Sequence, residues 1–188
     1  MGTLVHDPFH EAVPDLFGLD LDAYYAEKDH ASYLAFERGE LSIPAYAEVL
    51  FSDRRPVDLA ALEARYRRDY RLLPGIEALL DELVAAGVKM HALSNYGPFW
   101  EWIEEEVGLS RWVPWTFVSA RTGLRKAAPA AYLHASTTLS VTPEACLFVD
   151  DREKNCAGAR DVGMRAVRFT DASALRPSLV AEGFLPPR

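Results

Sequence analysis

The chain has 188 residues, 49% hydrophobic and 26% charged, the proportions of a globular protein with room for one packed domain carrying a small insertion. Its 28 acidic against 20 basic side chains leave a formal net charge of -8 without any basic run, which argues against a general nucleic-acid or membrane-surface binder. Cys146 and Cys156 form no CxxC pair, no apolar run reaches the roughly 20 residues of a membrane span, and the first residues lack the pattern of a secretory leader, so a cytoplasmic protein is expected.

The opening MGTLVHDPF reads as the end of a strand, Thr3-Leu4-Val5, leading through His6, Asp7 and Pro8 into a turn. Residues 15–73 are rich in Ala, Tyr, Leu and charge. Helices are expected there over 21–29, 32–37, 44–51 and 59–70, and no strand. Ser42 can cap the third of these, with Pro44 in its first turn, where a missing N–H costs little. Arg38-Gly39-Glu40 and Ser52-Asp53 punctuate as turns.

After Leu73 the texture changes. Pro74-Gly75 opens a helix over 76–86 whose apolar residues at 76, 79, 80 and 83 share one face, and Gly87 ends it. Strands over 88–93, 115–118, 145–149 and 164–169 then alternate with helices over 99–107, 129–139 and 153–162. That order predicts an α/β fold with a doubly wound, Rossmann-like parallel sheet covered on both faces. Ligands of such sheets sit beyond the carboxyl ends of the strands.

Three strand ends carry chemistry. Ser94-Asn95 follow the first of these strands, Lys126 lies in the loop RTGLRKAAP after the second, and Asp150-Asp151 follow the third in CLFVDDREKN. Two carboxylates about 4 Å apart repel by about 4 kcal/mol at an effective dielectric near 20. A cation should relieve them. Lys126 is one candidate, and Mg²⁺, which combines few carboxylates with water and phosphate oxygens, is the other. Each feature alone has an ordinary reading: a helix cap, a solvated lysine, an N-cap on a helix dipole. Together, at three strand ends, they point to a site. His6 and His10 are separated by Pro8, which breaks helical geometry, so no metal pair is expected from them. Cys146 reads as a core residue, and Trp100, Trp102, Trp112 and Trp115 as packing.

With these motifs in order, the chain resembles the haloacid dehalogenase-like (HAD) hydrolase superfamily. Leu93-Ser94-Asn95 looks like its second motif, an apolar strand ending in Ser or Thr. GLRKAAPAAY at 123–132 is similar to the third, with Ala127 where Pro is usual, and FVDDREKNCAGARDVGM at 148–164 resembles the fourth. The resemblance implies a core of residues 1–14 and 74–188 with an α-helical cap inserted at 15–73. It also implies a first motif, Asp-x-Asp-x-Thr/Val, whose first Asp is the nucleophile. Matching Thr3 to the fifth position puts Met1 at the third and the nucleophile two positions before Met1, so the chain is expected to open inside its own first motif. The strand carrying that motif is central in the family's sheet, and its two neighbours would each be left with an unshared edge. A start assigned too far downstream explains this better than a degenerate protein does, because the other motifs are intact.

What the resemblance implies is a Mg²⁺-dependent phosphatase of a small phosphorylated metabolite, working through an aspartyl-phosphate, with the chain as given inactive for want of its nucleophile. Ser94, Asn95 and Lys126 would bind the phosphoryl group, Lys126, Ser94 and Asp151 would serve catalysis, and Asp150, Asp151 and the Met1 carbonyl would hold the metal. Met1 replaces the second Asp that the family's phosphatases often use as acid and base. Gly2-Thr3-Leu4 is similar to metal-free haloacid dehalogenases, which keeps that chemistry as an alternative, although it does not need Asp150-Asp151. A binding protein without catalysis on the same fold is the third reading. No nucleic-acid or membrane partner is expected.

Overall fold

Short helices in water need help to start, and the first part of the chain supplies it with a polar cap at almost every turn. The computed structural model describes residues 1–10 and 13–187; Glu11, Ala12 and Arg188, all counted in the expected core, lie outside them. A 3-10 turn at Pro8–His10 leads to α1 (Val13–Leu16), α2 (Leu21–Glu27), α3 (His30–Glu37), α4 (Ile43–Glu48) and α5 (Leu59–Asp69). Asp20, Asp29, Ser42 and Asp58 each accept the backbone N–H three residues on, at Ala23, Ser32, Ala45 and Ala61. Each such cap contributes about 1 kcal/mol.

The second part runs α6 (Ile76–Ala85), β1 (Leu93–Ser94), α7 (Trp100–Val107), β2 (Phe117–Val118), α8 (Ser119–Thr122), α9 (Pro129–Thr138), β3 (Leu147–Asp150), α10 (Glu153–Asp161), β4 (Arg165–Arg168) and α11 (Ala172–Ala181). The alternation of strand and helix is the expected one. The short α8 and the terminal α11, begun by an Asp171 cap, are additions.

All strand pairs are parallel, but they form two half-sheets. Leu93 and Ser94 lie opposite Phe117 and Val118, and Leu147–Asp150 opposite Arg165–Arg168. Between the halves is a cavity of about 800 Å³ bordered by β1, β3, Thr3, Leu4, Val5 and the apolar face of α6. β1 and β3 border the same space without sharing hydrogen bonds, each with the unshared edge that the sequence led us to expect. The strands expected over 88–93 and 115–118 shorten to two residues each, because a ladder extends only where a neighbour runs alongside.

Thr3-Leu4-Val5 also takes a different partner from the one its strand-like sequence suggested. Val5 bridges antiparallel to Leu72. His6 N–H donates to the Arg71 carbonyl at 2.9 Å, and Leu73 N–H to the Leu4 carbonyl at 2.9 Å. The two passages between the helical segment and the α/β part therefore run side by side.

Aromatic residues join the two parts into one core. Phe36 stacks on Tyr46 with ring centroids 4.1 Å apart and meets Phe99 at 4.7 Å, while Phe99 stacks on Trp102 at 4.4 Å. The helical segment thus sits against loops at the carboxyl ends of β1 and β2. Two glycines make the approach possible: a Cβ at Gly97 would lie 2.3 Å from the Phe36 ring, and one at Gly39 2.0 Å from the Ala120 carbonyl. A smaller cluster of Tyr132, Phe148, Ala159 and Met164 ties α9 and α10 to β3. Among the described residues no helix is long and apolar enough to cross a membrane.

Candidate active site

The carboxyl ends of β1 and β3, the loop after α8, and helices α2 to α4 enclose a second cavity of about 400 Å³. Asp150 is the last residue of β3 and is 3% exposed. Its Oδ2 accepts from Lys126 Nζ at 2.6 Å, and its Oδ1 accepts from Arg152 N–H at 2.9 Å and Asn155 Nδ2 at 2.8 Å. Burial alone would push this carboxyl up. The Lys126 charge and the hydrogen bonds from Lys126, Arg152 and Asn155 outweigh burial and hold it below the ordinary carboxylate range.

Lys126 is positioned through its backbone. The Asn95 side chain donates from Nδ2 to the Lys126 carbonyl at 2.6 Å and accepts at Oδ1 from the Lys126 N–H at 2.7 Å. Placed straight after β1, Asn95 fixes the loop that brings Lys126 to Asp150. The sequence reading made Asn95 a substrate contact; the structure gives both its polar atoms to Lys126, and its task here is positioning.

Ser94, the last residue of β1, is buried and lines both cavities. Among the described residues its hydroxyl has no protein partner, so it remains available to a ligand. Asp151 stands apart from Asp150. Its N–H donates to Thr3 Oγ1 and its Oδ1 accepts from that hydroxyl, both at 3.2 Å. The carboxylate lies over Gly2, where a Cβ would come within 2.9 Å of it. Met1 lines the same cavity. Lys126, Ser94, Asn95, Asp150, Asp151 and Met1 are therefore brought together. Among the described residues, however, no group of three or more His, Cys, Asp and Glu side chains is arranged to hold a metal ion. Of the two aspartates, Asp150 has Lys126 as its cation and Asp151 is the more open; the expectation had Asp150 at a metal directly or through water.

The helical segment adds residues the sequence reading passed over. Glu37, 4% exposed at the end of α3, accepts from Tyr33 Oη at 2.7 Å and lies 2.5 Å from Arg125 Nη2, next to Lys126. Its backbone carbonyl accepts from Ser119 Oγ at 2.5 Å. Lys28, after α2, points its ammonium at the Tyr33 ring, 3.3 Å from the centroid. Lys28 was not singled out in the sequence. The usable signal was its spacing from Tyr24 and Tyr25, one helical turn earlier. Of the helical segment's tyrosines, Tyr25, Tyr33 and Tyr46 line the cavity, while Tyr24 is 1% exposed and belongs to the core.

An α/β chain that gathers a free hydroxyl, an ammonium–carboxylate pair and a second carboxylate at parallel strand ends, under a helical segment, has the make-up of a Rossmann-like hydrolase. A family model of haloacid dehalogenase-like hydrolases matches residues 2–163, and the chain belongs to that family. It is 35% identical over 179 residues to flavin mononucleotide hydrolase 1 of Arabidopsis thaliana, covering 95% of this chain and 73% of that one. It is 32% identical over 118 residues to phosphoserine phosphatase of Thermus thermophilus, covering 60% of this chain but 46% of that one. Among solved structures, a HAD family enzyme from Bacteroides thetaiotaomicron in complex with magnesium and inorganic phosphate superposes with a TM-score of 0.75 at 15% identity over 91% of both chains; at that identity the likeness shows the fold.

Proposed function

We propose that this chain belongs to a Mg²⁺-dependent phosphatase that cleaves a small phosphorylated metabolite. The observation that carries the reading is Lys126, held by the Asn95 pairing and by Asp150 at 2.6 Å, beside the free Ser94 hydroxyl in a cleft under the helical segment. Ser94 donates to a phosphoryl oxygen, and Lys126 offsets the charge that builds on it in the transition state. Asp150 keeps Lys126 aimed. The 400 Å³ space suits a metabolite and excludes a folded protein or a duplex. Residues 15–73 act as the cap, which shields the reacting phosphate from water and selects the organic part of the substrate.

The residues present fit Mg²⁺. This ion takes one or two carboxylates and fills its remaining positions with water and substrate oxygens. Asp151, lying over the Gly2 backbone, and the Met1 carbonyl would hold it, with Asp150 behind. When bound, the metal supplies charge stabilisation to the phosphoryl oxygens. The attacking carboxylate that the resemblance puts two positions before Met1 is outside this sequence. An aspartyl-phosphate formed there is the intermediate of this reading.

The names of two relatives, a flavin mononucleotide hydrolase and a phosphoserine phosphatase, support phosphate esters over halo-acids, and flavin mononucleotide is the first substrate to test. Calorimetric titration of this chain with inorganic phosphate, with and without Mg²⁺, tests the site. Binding that Mg²⁺ strengthens and that Lys126→Met abolishes is expected. Phosphate binding indifferent to both, or binding of 2-chloropropionate in its place, would overturn the reading.

A further inference from the structure

Lys28 is the feature that the phosphate site does not explain. Its backbone is fixed on both sides. Its N–H donates to the Tyr24 carbonyl at 3.0 Å, it bridges antiparallel to Phe51, and the neighbouring Asp29 N–H donates to the Leu50 carbonyl at 2.8 Å. The residue is 6% exposed. Its ammonium lies 3.3 Å from the Tyr33 ring centroid, 4.5 Å from that of Phe9 and 5.7 Å from that of Tyr24. Among the described residues no hydrogen bond or ion pair reaches it.

The carboxylates that face it are spent elsewhere. Glu37 and Asp7 both favour its charge through space, but Glu37 is engaged by Tyr33 and Arg125 and Asp7 accepts from Phe9 N–H at 3.1 Å. Ring faces attract a desolvated cation but return only part of what removing an ammonium from water costs. Three N–H donors are left without an acceptor among the described residues, and Lys28 lines the same cavity as Ser94 and Lys126. A lysine kept only for packing would be better replaced by an apolar chain of its length.

We propose that Lys28 is the specificity-determining cation of this site. It donates to a carbonyl or carboxylate oxygen carried by a planar ring, at the end of the substrate remote from the phosphate, with that ring lying beside Phe9 and Tyr25. This rests on the phosphatase reading above and deepens it. The substrate class is a phosphomonoester of an aromatic or conjugated, oxygen-bearing ring system. Aliphatic esters such as a glycerol phosphate satisfy Lys126 but leave Lys28 unpaired, so they bind without this discrimination.

The test uses calorimetric titration of the chain, and of Lys28→Met and Lys126→Met, with three probes: inorganic phosphate, riboflavin and flavin mononucleotide. Loss of a hydrogen bond from a charged donor corresponds to about tenfold in affinity. Lys28→Met should therefore weaken both flavins about tenfold and leave inorganic phosphate within about twofold, since separate contacts act nearly independently. Lys126→Met should do the reverse, sparing riboflavin. Circular dichroism checks the fold, and Lys28→Leu, which also lacks a donor, replaces Lys28→Met if that variant does not fold. Flavin binding by Lys28→Met equal to that of the original chain overturns the proposal, as does an original chain that binds neither flavin. If inorganic phosphate binds to no form while riboflavin binding still depends on Lys28, the ring subsite stands and the phosphatase reading falls.

Discussion

Replacing Lys28 by Met should make the protein more stable, although it removes a charged side chain from a well-packed place. Burial pushes the Lys28 ammonium down from 10.5 to about 7, against the opposing pull of Glu37 and Asp7. At about 1.4 kcal/mol per tenfold in proton affinity, the folded state bears about 5 kcal/mol for carrying this charge. Methionine fills nearly the same space and removes that cost, while about 2 kcal/mol of ring–cation attraction is lost. A net gain of about 1–3 kcal/mol at pH 7 follows, on the scale of a large single-residue effect. The pH dependence identifies the cause. Between about 7 and 10.5 the unfolded chain holds the Lys28 proton and the folded chain does not, so the original protein gains stability as pH rises through that window. Below it the cost is fully present, and above it the cost has gone. Urea denaturation at pH 6, 7 and 9 measures this: the advantage of Lys28→Met should be equal at the two lower values and smaller by about 2–3 kcal/mol at pH 9. A Lys28→Met protein less stable than the original, or an advantage unchanged at pH 9, would refute the argument and make Lys28 a structural residue.

Asn95→Ala should release the loop that carries Lys126 and weaken inorganic phosphate binding by about tenfold or more, the loss of two buried hydrogen bonds, with little change in riboflavin binding by titration. Gly97→Ala places a Cβ 2.3 Å from the Phe36 ring, and thermal denaturation should show a loss of about 1–3 kcal/mol from overpacking. Gly39→Ala meets the Ala120 carbonyl and a φ of 74° together, so its loss should exceed that of Gly97→Ala in the same scan. Mg²⁺ at 100 times its Kd should stabilise the protein by about 2.7 kcal/mol, and Asp151→Asn should remove most of that shift. An Mg²⁺ shift that survives Asp151→Asn would clear Asp151 of the metal.

What sequence could and could not convey is clearest at single residues. The helices of the first part were legible because their caps are local: Ser42 and its Ala45 partner are three residues apart. The strand ends were legible because apolar runs stop at Ser94 and Asp150, and the topology then places those residues together. The division of work between them was not. Asn95 and Lys126 are 31 positions apart, and their double pairing depends on a loop path that no periodicity encodes. Lys28 was missed for a related reason. Its neighbours in sequence, Glu27 and Asp29, are charged, and its burial is created by Phe9 and Tyr33, which the fold brings from separate elements. The unshared edges of the half-sheets were legible, but the length of β1 was not, since strand length depends on partners and the stretch before Leu93 has the right composition without the ladder.

The doubled aspartate was the strongest signal in the sequence, and its two members do opposite things with their charge. Asp150 accepts from three donors, one of them cationic, so the Asp150–Lys126 pair is close to neutral as a unit. Arg125, the next basic group in the loop, is held by Glu37. Asp151 accepts from the Thr3 hydroxyl beside the Gly2 backbone, with Arg168 Nε on its carbonyl and the Met1 amino group acting on it through space, and it adds negative charge at the place a phosphate would enter. A phosphate dianion there meets Ser94 as a neutral donor, a cation already shared, and a carboxylate that repels it. Arg152 and Lys154 line the cavity but are exposed, and charges in contact with water are screened. Lys28 stands at the organic end under our proposal. Under our proposal a divalent cation held by Asp151 would offset that repulsion. The Asn95 and Asp150 contacts of Lys126 hold the loop, and the proposal expects phosphate binding to weaken when Mg²⁺ is withheld, a loss that titration of the chain with and without the ion would detect.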